Sequence, residues 1–292
     1  MYVMKFLTSS QLPLYAELTY SYYQESFLKA KETVVAIGIE LLGKPIGLIW
    51  GEFLPEQAIG YVNTIYISPK FRKRGLGTQM LSEFETVMRN KGCSEIQVSY
   101  KYDDSRSQVW ECLFQKEGWN PPDYSLVHYT ISLEQYMQLS WVQKHRLSGE
   151  FYTFLWNDLK EEERVLIESG ADKWYPKALT PFRQNELMDP HSIGLRHGQE
   201  IVGWFIVHRP SKDVVYGDSL FVKEKYQNRG LAFSMLTEVI EVGYRENILR
   251  GSFIVNGENK RMLKIVERKM KPCILDFYET KRMSKHMTND KV

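Results

Sequence analysis

The sequence predicts an α/β (α+β) fold class with two tandem domains, each a mixed, mostly antiparallel sheet flanked by helices. Length is the first reason, because 292 residues exceed what one hydrophobic core usually holds. The stretch 62–81 is the second, since an apolar strand, a glycine-containing turn and an amphipathic helix follow one another there. The third reason is that the same order of elements returns at 219–236, roughly one domain length later.

The first stretch is built around a basic turn. The β-forming run Ile65–Ile67 ends at Ser68-Pro69, and the turn 72–77 (RKRGLG) opens directly into a helical pattern. A strand, a glycine turn and a helix N-terminus together form an anion site, because free backbone N–H groups and the positive end of the helix dipole face one point. The local basic cluster Lys70–Arg74 suits a phosphate-rich ligand, although it could also be a solvated turn.

The second stretch repeats the first with a less basic turn. Its turn reads Gln227-x-x-Gly230-x-Ala232 where the first copy reads Arg72-x-x-Gly75-x-Gly77, and Gly75 and Gly230 are 155 positions apart. A repeat at domain spacing favours a duplicated fold over two chance matches.

The remaining elements follow from hydrophobic period and turn residues. The first half predicts helices over 11–28, 76–91 and 105–118, and strands over 1–7, 34–42, 44–53, 56–67, 95–100 and 126–132. The second half predicts helices over 160–169, 226–246 and 258–270, and strands over 150–156, 191–196, 200–208, 214–222, 251–256 and 273–279. The predicted domains are 1–132 and 149–280, joined by a linker helix at 133–148 and followed by a disordered polar tail at 281–292.

The two turns resemble the pyrophosphate loop of the GNAT superfamily of N-acetyltransferases, and the resemblance covers both halves of the chain. It implies that acetyl-CoA (CoA) is held by a splayed fourth strand, by the loop, and by a residue at the start of a later helix. The implied cofactor-binding residues of domain 1 are Ile65, Tyr66, Ile67, Arg72, Lys73, Arg74, Gly75, Leu76, Gly77, Thr78 and Ser107. Those of domain 2 are Leu220, Phe221, Val222, Gln227, Asn228, Arg229, Gly230, Leu231, Ala232, Phe233 and Asn259.

The resemblance also implies a general base, which in the family is often a carboxylate just before the splay of the fourth strand. Domain 2 has Asp218 there, whereas domain 1 has Asn63, which cannot accept a proton at neutral pH. Glu52 and Glu56 are the nearest substitutes in domain 1. Asp218 could instead be a structural hydrogen-bond acceptor, and His208 is a titratable alternative.

A tyrosine in the last helix is commonly the general acid of the family, and neither domain has it. Phe114 and Val266 stand at the matching positions, so Tyr278 is a possible replacement, and departure of the thiolate without a side-chain acid stays open. Domain 1 has the more basic loop, but domain 2 has Asp218 and Asn259. This balance favours domain 2 for the chemistry.

Composition excludes several other classes. A net charge of +2 argues against nucleic-acid binding by bulk charge. There is neither a signal peptide nor a membrane-spanning run, so we expect a cytoplasmic protein without a membrane partner. Cys93, Cys112 and Cys273 are scattered and form no CxxC pair, which predicts buried thiols and neither a disulfide framework nor a metal site.

These expectations combine into an acetyl-CoA-dependent N-acetyltransferase that acts on a primary amine of a small molecule, such as an amine-bearing antibiotic or a metabolite. Transfer would be direct, within a ternary complex, in a monomer or homodimer. Two alternatives remain. One is a non-catalytic CoA-binding or sensing module, which the missing helix tyrosines favour. The other is aminoacyl transfer from charged tRNA to a cell-wall precursor, which the two phosphate loops disfavour.

Overall fold

The chain folds into two compact units of mixed α/β structure. The computed structural model describes residues 1–29, 32–142, 147, 149–183 and 188–287, with the backbone alone at 104–106. Unit 1 comprises Met1–Ser125 and Glu279–Val292, and unit 2 comprises Leu126–Tyr278. Among the described helices, none is long and apolar enough to cross a membrane.

The first part of the chain builds most of the unit 1 sheet. Its elements are β1 (Tyr2–Phe6), α1 (Ser21–Leu28), β2 (Val34–Leu41), β3 (Lys44–Leu54), β4 (Ile59–Ile67), α2 (Leu76–Asn90), β5 (Glu95–Lys101) and α3 (Asp104–Lys116). Strands β1 to β4 pair antiparallel in sequence order, and β4 pairs with β5 in parallel. The predicted mixed, mostly antiparallel sheet is confirmed.

From β7 onward, the second part of the chain repeats this order of elements. Its elements are β6 (Tyr124–Ser132), α4 (Leu133–Met137), β7 (Phe151–Leu155), α5 (Glu161–Glu168), β8 (Ile193–His197), β9 (Glu200–Ser211), β10 (Val214–Val222), α6 (Leu231–Arg245), β11 (Arg250–Asn256), α7 (Lys260–Met270) and β12 (Ile274–His286). Strands β7 to β10 pair antiparallel and β10 pairs with β11 in parallel, as β4 does with β5.

The last strands of the two halves are exchanged, which corrects the predicted boundaries. Residues 126–132 of β6 pair antiparallel with β11 of unit 2, although we expected them to close the first sheet. Residues 280–286 of β12 pair antiparallel with β5 of unit 1. The predicted polar tail is therefore a strand as far as His286, where the buried Met283 and Met287 join the unit 1 core, and 288–292 lie outside the described residues.

The predicted linker helix is also corrected. Helix α4 ends at Met137, and it belongs to unit 2 because Leu133 and Tyr136 are fully buried in that unit's core. Residues 143–146 and 148 of the predicted linker lie outside the described residues. Its short length and the burial of Leu133 and Tyr136 make α4 part of a domain.

Each sheet is covered on both faces. Helices α2 and α6 bury the apolar stripes that their sequence spacing predicts, including Met80 and Phe84 in α2 and Met235 and Val239 in α6. Each such side chain contributes about 1.5–3 kcal/mol of transfer free energy. The opposite faces carry separate apolar clusters centred on Trp50 in unit 1 and Trp204 in unit 2. Of the cysteines, Cys93 and Cys273 are buried as expected, but Cys112 is exposed.

Candidate functional site

In each unit the parallel strand pair separates part-way along its length. Strand β4 pairs with β5 from Ile59 to Val62, and β10 pairs with β11 from Val214 to Gly217. Beyond these points β4 and β10 stay paired only on their other edges, to β3 and β9. The unpaired ends contain the predicted strand residues, which are Ile65, Tyr66 and Ile67 in unit 1 and Leu220, Phe221 and Val222 in unit 2. Such an edge offers backbone N–H groups to a ligand.

A β-bulge marks the start of each split. Asn63 is the extra residue in β4, because the register passes from Gly51↔Val62 to Trp50↔Thr64. Asp218 is the extra residue in β10, between the pairs Val207↔Gly217 and Ile206↔Ser219. A bulge bends its strand and redirects a side chain. Asn63 and Asp218 therefore occupy the same position in the two units.

The predicted glycine loops have matching backbones. Gly75 and Gly230 are the N-caps of α2 and α6, with φ of 75° and 79°. Two residues earlier, Lys73 and Asn228 are also left-handed, with φ of 61° and 65°. A Cβ built on Gly75 would meet nothing within 4 Å, so the space beside this residue of the unit 1 loop is open.

The N–H groups of these loops suit an anion. The first turns of α2 and α6 contain the predicted residues Leu76, Gly77, Thr78, Leu231, Ala232 and Phe233. N–H groups in a first helical turn have no intrahelical acceptor, and left-handed residues before them add converging donors. The geometry of both loops therefore fits phosphate oxygens.

Two predicted loop side chains brace the loop. Arg72 Nε donates to the Ile67 carbonyl oxygen at 2.8 Å, and Gln227 Nε2 donates to the Val222 carbonyl oxygen at 2.9 Å. Both bonds tie the loop to the last residue of the split strand. Arginine and glutamine are interchangeable here because either can reach that carbonyl with an N–H donor.

The other predicted loop side chains differ between the units. Arg74 Nη1 donates to Tyr2 Oη at 2.7 Å, and Lys73 is exposed. In unit 2, Asn228 Oδ1 accepts a hydrogen bond from Arg261, and the guanidinium of Arg229 lies 5.7 Å from the centre of the Tyr226 ring.

The predicted helix-start residues have local structural roles. Ser107 is buried, and its Oγ accepts a hydrogen bond from the Asp103 N–H at 2.8 Å. Asn259 is the N-cap of α7, and its Oδ1 accepts from the Met262 N–H at 3.0 Å. Capping leaves the amide nitrogen of Asn259 as the part of that side chain that can donate to a ligand.

The structure brings Asp218 and His208 together. His208 Nε2 lies 3.7 Å from Asp218 Oδ2, and the two side chains are only 6% and 8% exposed. Neither ring nitrogen of His208 has a hydrogen-bond partner among the described residues. Burial, followed by the charge of Asp218, raises the pKa of the neighbouring Tyr216. A buried histidine with unused nitrogens beside a carboxylate is a candidate proton acceptor.

Glu52 occupies in unit 1 the position that His208 occupies in unit 2. Glu52 pairs with Tyr61 across β3 and β4, as His208 pairs with Tyr216 across β9 and β10. Burial and then the charge of Glu52 raise the pKa of Tyr23, which lies beside Tyr20. A proton-accepting side chain thus stands near both bulges. Glu56, by contrast, is exposed in the turn between β3 and β4.

Tyr278, the predicted replacement for the general acid, does not reach Asp218. Tyr278 stacks on His128 with ring centres 4.5 Å apart, and strands β6 and β11 separate it from β10. Phe114 and Val266 are buried in the cores of their units. The structure therefore places no helix tyrosine at either of the two matching positions and does not bring Tyr278 to Asp218.

Comparison with solved structures shows the same fold across the whole chain. A GCN5-related N-acetyltransferase from Sphaerobacter thermophilus is 16% identical, with a TM-score of 0.67 and coverage of 98% of this chain and 95% of that one. A tandem GNAT protein from the clavulanic acid biosynthesis pathway is 12% identical, with a TM-score of 0.62 and coverage of 99% and 100%.

A third structure belongs to a longer protein. The GCN5-related glucosamine N-acetyltransferase region of a fungal multi-domain GH3 β-N-acetylglucosaminidase is 13% identical, with a TM-score of 0.69. The match covers 97% of this chain but only 38% of that protein. At these identities the likeness shows the fold alone. No curated protein matches the sequence significantly.

The family itself is shown by the sequence. The family model described as the Acetyltransferase (GNAT) family matches twice, at residues 2–108 and 145–270. Each match contains one split strand and one glycine loop. The chain therefore belongs to the acetyltransferase (GNAT) family and contains two copies of its fold.

Proposed function

We propose that the protein is an acetyl-CoA-dependent N-acetyltransferase that acts on a primary amine of a small molecule by direct transfer. The observation that carries this proposal is the strand split followed by a left-handed glycine loop, present in both units. These features fit the cofactor, because an unpaired strand edge suits the amides of a pantetheine arm and the loop suits a diphosphate. When bound, acetyl-CoA supplies an acetyl group activated as a thioester.

In this scheme the backbone holds the phosphates of the cofactor and polarises the acyl carbonyl group. N–H groups of the loops and first helical turns bind the phosphates. The N–H groups of Leu220 and Val222, on the open edge of β10, would donate to the acyl carbonyl oxygen. They stabilise the negative charge that develops on this oxygen when the amine attacks. Because these donors belong to the main chain, both units have them despite different side chains.

The Asp218–His208 pair receives the amine proton in our proposal. A primary amine is mostly protonated at neutral pH and must lose a proton before it can attack. The carboxylate of Asp218 attracts the ammonium group, and the unused His208 Nε2 is 3.7 Å from that carboxylate. We therefore assign the chemistry to unit 2.

A non-catalytic CoA-binding module is the second candidate. The buried, apolar Phe114 and Val266 favour it, because neither last helix offers a proton donor at the family position. This candidate predicts CoA binding without transfer to any amine.

The test combines a titration with a turnover assay. The purified full chain is titrated with acetyl-CoA in a calorimeter, and release of free thiol is then measured against a panel of small primary amines. Saturable binding with amine-dependent thiol release supports the proposal. Binding without release on the whole panel establishes the second candidate instead, and no binding removes both.

A further inference from the structure

The two units carry opposite charges at the start of their third strands. Lys44 is the first residue of β3 and pairs with Leu41, while Glu200 is the first residue of β9 and pairs with His197. The two residues therefore hold the same place in corresponding hairpins. This difference becomes important at the neighbouring phosphate loop.

Glu200 is bonded to the residues that lead into the unit 2 loop. Its carboxylate accepts from Lys223 Nζ at 2.8 Å, from Lys225 Nζ at 3.0 Å and from Tyr226 Oη at 3.1 Å. Hydrogen bonds from Lys223 and then Lys225 lower the pKa of Glu200 to about 2. The carboxylate is therefore ionised at neutral pH and holds two lysines of the segment that leads to Gly230.

A third cation, Arg229, lies near the ring of Tyr226. The Tyr226 ring, whose hydroxyl is bonded to Glu200, has Lys225 Nζ 4.7 Å and the Arg229 guanidinium 5.7 Å from its centre. Arg261, which donates a hydrogen bond to Asn228, adds one positive charge to this loop. Even so, the negative charge of Glu200 lies within the cationic cluster that precedes Gly230.

Among the described residues, no such carboxylate is paired with the unit 1 loop. Phe71 stands in place of Tyr226, and the Arg74 guanidinium lies 5.9 Å from its ring centre and donates to the neutral Tyr2 hydroxyl. In the described part of the chain, no carboxylate oxygen lies within 4.0 Å of the side-chain nitrogens of Lys70, Arg72, Lys73 or Arg74. Lys44 adds a further positive charge to this unit.

We propose that the residue at the start of the third strand determines how tightly each loop binds the CoA phosphates. Lys44 makes unit 1 the tight site, and Glu200 makes unit 2 the weaker one, because its carboxylate competes with phosphate for the loop cations. This inference rests on the proposed function, since it requires that both loops bind CoA. Exposed charges about one Debye length apart change binding only moderately, so we expect about threefold per charge.

The test is a calorimetric titration with CoA, which requires no turnover. Glu200→Gln is combined with Gly75→Glu, so that only the unit 2 loop is left to bind. Lys44→Glu is combined with Gly230→Glu, so that only the unit 1 loop is left. We expect Glu200→Gln to tighten binding about threefold and Lys44→Glu to weaken it by about the square of that, roughly tenfold.

Salt and a matched variant complete the design. Raising the salt concentration should weaken the unit 1 site more steeply than the unit 2 site. Lys91→Glu makes the same charge change beyond the far end of α2 and should leave both affinities unchanged. If a glycine variant does not fold, the single charge variants in the otherwise unchanged chain should shift the tight and the weak constant of a two-site isotherm separately.

Each outcome bears on a different claim. If both loops bind CoA but neither charge variant changes affinity or salt dependence, the inference is wrong and the proposed function stands. A unit 2 site tighter than the unit 1 site also overturns it. If the unaltered chain binds no CoA, the proposed function fails first.

Discussion

The two units share a backbone and differ in charge. Both have a bulge at the start of the split strand, a left-handed pair of loop residues and a side chain that braces the loop to the strand end. Unit 1 combines a basic loop with Asn63, whereas unit 2 combines Asp218 and His208 with a loop whose lysines are paired to Glu200. Under our proposal, the shared backbone accounts for cofactor binding in both units, and the side chains divide affinity and chemistry between them.

The largest expected effect comes from the loop glycines. Gly75→Glu and Gly230→Glu should each abolish CoA binding in their own unit, because a carboxylate enters the anion site and a side chain takes a left-handed φ. Calorimetric stoichiometry should fall by one site in each variant. Gly92→Glu is the matched control, because Gly92 also has a positive φ with open space but lies after α2. Unchanged binding in both loop variants would contradict the loop assignment.

Replacing a buried methionine should destabilise unit 1 alone. Met283 of β12 is fully buried in the unit 1 core, so Met283→Ala should lower the free energy of unfolding of that unit by about 2–5 kcal/mol. Hydrogen exchange resolved by segment would show that the variant loses more protection in β2–β5 than in β8–β11, relative to the unaltered chain. Leu275→Ala on the same strand is the control, because Leu275 is exposed. Equal loss of protection in both units would contradict the strand exchange.

The exchanged strands also show what sequence patterns can specify. Period and turn residues predicted both sheets and both loops, because those signals are local. They did not predict which last strand joins which sheet, because partner choice depends on long-range packing, and the polar residues from 281 onward were predicted to be a tail.

The candidate site, like the fold, was only partly predictable from the sequence. The glycines stood out by residue type and spacing, and Asp218 stood out by the resemblance to the family. The burial of His208 did not, because β9 is buried along both faces from Ile201 to His208 and shows no alternation. The contacts of Glu200 and the bracing role of Arg72 join residues across strands, and a single sequence does not report such pairs.

Asp218 and His208 should account for a smaller but clear effect on turnover. Asp218→Asn and His208→Gln should each lower kcat at least about 100-fold, which is about 2.7 kcal/mol, with CoA affinity unchanged. The double variant should lose little more than either single one, because the pair acts as a unit. Asn63→Asp gives unit 1 the carboxylate that it lacks at this position. Turnover by Asp218→Asn at the unaltered rate would remove the pair from the mechanism.

The smallest expected effect concerns the pH dependence of stability. The pKa of Glu200 is lowered to about 2 in the folded protein, below the ordinary value that it has when unfolded. Its contribution is therefore fully present above that ordinary value and is lost as the pH falls through the folded value. Because Glu200 is 40% exposed, solvent screening reduces this contribution to a few tenths of a kcal/mol. The difference in unfolding free energy between the unaltered chain and Glu200→Gln should shrink between about pH 5 and about pH 3. Glu83→Gln, at an exposed position in the middle of α2, should show no such trend. A difference that stays constant over this range would mean that the lysines do not hold Glu200 in solution, and the charge contrast between the two loops would then lose its structural basis.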